Sequence, residues 1–310
     1  MASKLPPPIR FPLLVLLSWG LSSLFYSISS EWTAGDLAGV SRRFDGWTEI
    51  AGLLTWRVVE LGVGWFWGLD GMDLGALILL THAPTAYFLV TFYTISGSTA
   101  ITSLVIDLAC VSIPFALLRP LSAVHHKNPP KGSISNRIIL NDSGTQFELM
   151  ILGAAIYAVV IFTGFKTWLP TYLVTHFDGL RTIAPVYDVY VPTLVMTLMP
   201  IGFATTQFLF NSTTGAKVEE VREPFNPEKA TLGETLQHNL WAESRRTKVL
   251  MSRTAALVLM TGFNTWLQTY VTIAGAEPYG AAGWASVWAS ASALTGLACF
   301  LVGNVDGVYK

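Results

Sequence analysis

Three ionisable residues sit at the centre of apolar stretches: Arg57, His82 and Asp107, each 25 positions from the next. A charge at bilayer depth is costly and marks a functional site by default. Glu60 follows Arg57 by three positions, so it shares that helix face and can pair with it. The chemistry then depends on which pair forms. If Arg57 takes Asp107, the result is a buried salt bridge. If Arg57 takes Glu60, Asp107 is left with His82 in apolar surroundings that disfavour its charged form. A carboxylic acid kept neutral in such a pocket is a good general acid, able to protonate an epoxide or alkene. Asp107, His82 and Glu60 are therefore the candidate catalytic residues. Arg57, Trp56 and Tyr87 are candidate substrate contacts, the aromatic faces being suited to a developing cation. The rival reading is a polar clasp that holds successive helices together.

Composition shows what must position these groups. Of 310 residues, 52% are hydrophobic and 13% charged, and the net charge is -1. Soluble domains carry roughly 25% charged residues, about twice this share. The mean hydropathy is +0.49. Disorder is excluded, because it needs low hydrophobicity and high charge. A disulfide scaffold is excluded, because Cys110 and Cys299 cannot staple such a chain. So few charges cannot coat a soluble globule. A near-neutral chain gives no reason to expect a nucleic-acid partner.

The expected fold is all-α, a polytopic transmembrane helix bundle in one integral membrane domain, 1–310. Spans of about 20 apolar residues are predicted at 11–30, 48–68, 73–93, 98–118, 147–168, 190–210, 254–273 and 282–303. The second carries Glu49, Arg57 and Glu60. If it lies along the surface, seven spans remain instead of eight. Loops at 119–146 and 211–253 are polar and rich in basic residues. Arg42, Arg43, Lys166 and Arg181 fall on the opposite side. Positive charge marks the cytosolic face, so the long loops and the C-terminus are expected there, on an endomembrane such as the endoplasmic reticulum. Within the second loop, Leu232, Leu236 and Leu240 recur every four residues. They predict an amphipathic helix at 231–250, followed by basic residues suited to lipid headgroups.

One decapeptide occurs twice. Thr163–Tyr172 reads TGFKTWLPTY and Thr261–Tyr270 reads TGFNTWLQTY, with eight of ten positions identical. The expectation is a duplicated two-helix unit, 147–210 repeated as 245–303. Trp168, Tyr172, Trp266 and Tyr270 would anchor at the headgroup level or form two walls of a pocket. Pro200 is expected to kink the sixth span. In the eighth, Ala285, Ala289 and Ala293 form a small-residue row suited to close packing.

No cofactor is implied. No metal site is expected either, since the five histidines stand in no zinc-ligand spacing. The build is similar to that of small integral-membrane isoprenoid enzymes, such as the membrane-bound terpene cyclases of fungi. The likeness is one of size, span number and intramembrane acids. It implies a cyclase or isomerase acting on a hydrophobic isoprenoid or lipid-like substrate by acid catalysis, and it assigns no residue. Two other classes stand beside it. One is a non-catalytic assembly factor or accessory subunit, docking a protein partner through the eighth span or helix 231–250. The other is a small-molecule transporter. Membrane lipid is the surrounding partner in all three.

Overall fold

The computed structural model describes residues 6–44, 46–126, 133–216, 231–232 and 245–305. They are helical throughout, without a strand. The helices are α1 (Pro7–Ala38), α2 (Trp47–Phe66), α3 (Gly71–Tyr93), α4 (Gly97–Leu118), α5 (Arg137–Asn141), α6 (Ser143–Lys166), α7 (Leu169–His176), α8 (Ala184–Asp188) and α9 (Val191–Thr197). Then come α10 (Met199–Thr214), α11 (Arg245–Thr272) and α12 (Pro278–Val305). Most of the predicted helix at 231–250 lies outside the described residues.

Proline punctuates the chain. It stands in the first turn of α1, α7, α8, α9 and α10, where its missing N–H leaves no bond unmade. At Pro200 the same property breaks the sixth apolar segment. The ring would clash with the carbonyl four residues back, so α9 stops at Thr197. The axis turns by 59° into α10. Within α10, residues Thr206–Asn211 form a π-helical stretch.

Among the described residues, five helices are long and apolar enough to cross a bilayer: α1, α3, α4, α6 and α12. They become six if the bent α9–α10 pair counts as one span. The expectation of eight is therefore corrected. Helix α2 exists, but Glu49, Arg57 and Glu60 give it three charges in 20 residues. Helix α11 exists too, but it opens on Arg245, Arg246, Lys248 and Arg253 and later carries Asn264 and Gln268.

Helix α3 is the centre of the bundle. It packs against α4, α11 and α10, and 61% of its apolar window is buried. The strongest pairing joins α11 to α12, and α12 continues onto α6. Helix α6 crosses α10 so closely that a side chain at Gly202 would collide with the Met150 backbone. Helix α1 lies on α4, while α2 touches the bundle only lightly.

At one end of the bundle, turns pair through isolated bridges, Ser41 with Ile273 and Phe177 with Ala276. Gly275 there has φ +75 and meets the Asp178 backbone, so no larger residue fits without strain.

The duplicated unit is not supported. The first decapeptide is broken, because α6 ends at Lys166 and α7 begins at Leu169. Pro170 is the cause, as it sterically opposes the carbonyl of Lys166 four residues earlier. In the second copy Gln268 replaces it, and α11 runs straight through. Of the small row on α12, Ala285 is buried and Ala289 lies opposite Gly262 of α11, whereas Ala293 is exposed. The outward face carries Ala282, Ser286, Ser290 and Ala293.

A candidate functional site closed on itself

Helices α2, α3 and α4 bring Arg57, Glu60, His82 and Asp107 together. Arg57 Nη2 donates to Asp107 Oδ1 at 2.6 Å, and Arg57 Nη1 donates to Glu60 Oε2 at 3.3 Å. The His82 ring lies between the carboxylates, with Nδ1 at 3.0 Å from Asp107 Oδ2 and Nε2 at 2.9 Å from Glu60 Oε1. The four side chains form a ring in which each carboxylate oxygen meets a nitrogen. Both ring nitrogens face carboxyl oxygens, and with both carboxylates ionised the imidazole satisfies both contacts only as a double donor. Two cations then balance two anions. Glu60 is 1% exposed and His82 7%, while Arg57 and Asp107 keep 13% and 16%.

The two expected pairings for Arg57 thus occur together. Asp107 is not left alone with His82, because Arg57 reaches it as well. Such a ring ties α2, which otherwise touches the bundle only lightly, to the closely packed pair α3 and α4. Its members are costly to separate, because removing one leaves a buried charge uncompensated.

Two residues missed in the sequence extend the ring. Tyr26 of α1 lines the same cavity as His82 and Asp107. Asn264 of α11 accepts from Trp56 Nε1 at 2.7 Å and donates to the Thr81 carbonyl at 2.7 Å. Trp56 is therefore a strut between α2, α11 and α3. Tyr87 lies elsewhere, stacked on Trp284 and edge-on to Trp288.

The decapeptide aromatics tie α7 and α11 to the start of α12. Tyr172 donates to the Tyr279 carbonyl and Trp266 to the Pro278 carbonyl. Trp168 packs on Tyr172, and Trp266 on Tyr270. None of the four lines either cavity described here, one beside Asp107 and one between α3 and α10.

A second polar cluster closes the other end of α3. Asp70 caps that helix, its Oδ1 accepting from the Met72 and Asp73 amides. Its Oδ2 accepts from the Ser122 amide at 2.7 Å and contacts His125 Nδ1 at 2.7 Å. Asp73 takes both guanidinium nitrogens of Arg253, at 2.7 and 2.9 Å, and the Ser212 hydroxyl at 3.0 Å. Burial pushes the Asp70 carboxyl up, but hydrogen bonds from His125 and the backbone outweigh it and hold the group low. Burial pushes His125 down, and the hydrogen bond to Asp70 and its charge outweigh that, so the ring is held above its ordinary value.

Asp70, Asp73 and His125 offer ligand atoms within 4.8 Å of one another, a grouping that sequence spacing did not reveal. The signal available was the pair Asp70-Gly-Met-Asp73, which places two carboxylates on one helix turn. Here both are engaged by protein donors, Arg253 above all, so the cluster reads as a latch.

A family model described as the bouquet formation protein 3 C-terminal domain matches residues 142–302. That is more than half of the chain. The chain belongs to this family. No curated protein and no solved structure matches it. The matched part begins at Asp142, the residue that caps α6, and runs through nearly all of α12. It holds Ser212, Arg253, Asn264 and both decapeptides. The four members of the ring, with Asp70, Asp73 and His125, precede it.

Proposed function

We propose that the chain is a non-catalytic membrane assembly factor that serves bouquet formation at the nuclear envelope, an endomembrane. The family match over 142–302 carries this reading. The geometry supports it. The residues suited to acid catalysis are committed to one another in a neutral ring, which acts as a clasp. The working surface for a protein partner is the outward face of α12, where Ala282, Ser286, Ser290 and Ala293 permit close helix approach. The long loops face the cytosolic side in this reading.

One observation favours the rival, acid catalysis by Asp107, His82 and Glu60: a cavity reaches Asp107 and His82. Deletion separates the two. The assembly reading expects defective clustering of chromosome ends in meiotic cells and an unchanged lipid profile. A lost or accumulated isoprenoid, with normal clustering, would overturn it.

A further inference from the structure

The cavity beside the ring lies among α1, α3, α4 and α11 and measures about 240 Å³. Along α3 it follows one face from His82 to Leu89, and along α4 one face from Asp107 back to Ala100. Seven helical steps of about 1.5 Å make it roughly 10 Å long. It leads from the ring to the end of the bundle where Ser41 pairs with Ile273, and both of these residues line it. Ser41 is exposed there. Eight of the sixteen lining residues are polar. The Thr85 hydroxyl is shut in, but Tyr26, Ser103, Asp107, Gln268 and Thr272 are all partly exposed. The cavity between α3 and α10 differs, with only Ser112 and Gln207 polar among twelve. Water occupies a cavity that is roomy and offers it two to four polar partners, at roughly 30 Å³ for each molecule. The cavity beside the ring meets both conditions.

We propose that this cavity is a water-filled shaft through which the ring exchanges protons with the aqueous phase at the Ser41 end, so that acid on that side opens the clasp on α2. Asp107 is the proton acceptor, since it lines the shaft and keeps 16% exposure while Glu60 keeps 1%. The charged and titratable groups around it are Arg57 and Glu60 from α2, His82 from α3, Tyr26 from α1 and Cys110 of its own helix. From α11 the shaft receives Gln268 and Thr272, which do not titrate. A proton taken up on the Asp107 carboxylate removes one of the two negative charges in the ring. Arg57 and His82 are then left with Glu60 alone, and one positive charge is uncompensated. Helix α2 has few other contacts with the bundle, so it is the part released.

The test uses the full chain in sealed lipid vesicles, with Cys110→Ala and Cys299→Ala as background. A charged, membrane-impermeant thiosulfonate probes single cysteines, because only a hydrated thiol ionises and reacts readily. Ser103→Cys should react from the same side as Ser41→Cys and within about tenfold of its rate, whereas Ile101→Cys, exposed on the outer face of α4, should react about a hundredfold more slowly. A spin-label pair at Leu54→Cys on α2 and Ile151→Cys on α6, both exposed, reads the position of α2. Acidifying the Ser41 side from about pH 7 to about pH 3, below the ordinary carboxylate value, should raise the displaced population of α2 about fivefold. Acid on the other side should not. Asp107→Asn should show the displaced population at both pH values. A second pair, Ile101→Cys with Ile151→Cys, should keep its distance throughout, which separates release of α2 from unfolding. Slow modification of Ser103→Cys, or modification from the opposite side, overturns the proposal. So does an α2 position indifferent to acid on the Ser41 side.

Discussion

Helix α3 carries two polar clusters built from the same residue types, and they are wired differently. At its middle, Arg57, Glu60, His82 and Asp107 share their contacts around a ring, so every member has two partners. At its start, Asp70 serves His125 and backbone amides, while Asp73 serves Arg253 and Ser212. These are two adjoining pairs. A ring spreads the loss of any member over all the others. A pair confines it. The difference follows from surroundings: amides and loop residues satisfy charge at the helix end, whereas mid-helix groups have only one another.

The largest expected effect comes from opening the ring. Asp107→Asn leaves Arg57 and His82 facing Glu60 alone and should cost about 3–5 kcal/mol, read as a lower melting temperature in detergent and lower abundance in cells. Normal abundance with a changed lipid profile would favour catalysis over the clasp. Arg253→Met should cost less, about 2–3 kcal/mol, because the pair is nearer the helix end. Adding Asp73→Asn should recover part of that loss. No recovery would mean that Arg253 acts through its other contact, the Phe208 carbonyl.

The third expectation concerns pH. His125 is held above its ordinary value of about 6.5 and Asp70 below its ordinary value of about 3.9. A raised base stabilises the fold fully below its ordinary value and loses that contribution as pH rises through the raised one. Melting temperature should therefore decline on the alkaline side of about 6.5, and His125→Gln should flatten that decline. The depressed acid acts oppositely: its contribution is present above about 3.9 and fades as pH falls. An unchanged alkaline limb in His125→Gln would assign it to another group. Smallest is Ser212→Ala, expected to cost about 0.5–1.5 kcal/mol because Arg253 still holds both oxygens of Asp73.

The middle cluster was legible in the sequence because depth is legible. Equal spacing on successive helices put Arg57, His82 and Asp107 at one level, and the turn rule added Glu60. Composition likewise made the all-helical class legible. What stayed hidden depends on distant partners. Asn264 meets Trp56 across 208 positions, and Ser212 meets Asp73 across 139. No local pattern encodes either meeting. The repeat misled for a physical reason: eight identities in ten outweigh one proline on paper, yet that proline ends a helix. The span number misled because helices such as α2 and α11 are retained by polar contacts as well as apolar surface.

The wiring of α3 also bears on the order in which the chain is made. Every hydrogen-bond partner of Asp70 among the described residues lies within 55 residues of it, so the α3–α4 hairpin can latch soon after it emerges. Asp73 must wait for Arg253, which is synthesised 180 residues later. A chain stopped short of that arginine leaves the carboxylate at the first turn of its central helix with at most the Ser212 hydroxyl. Masking of that carboxylate thus records the docking of α11 on α3, an event separate from the closing of the hairpin.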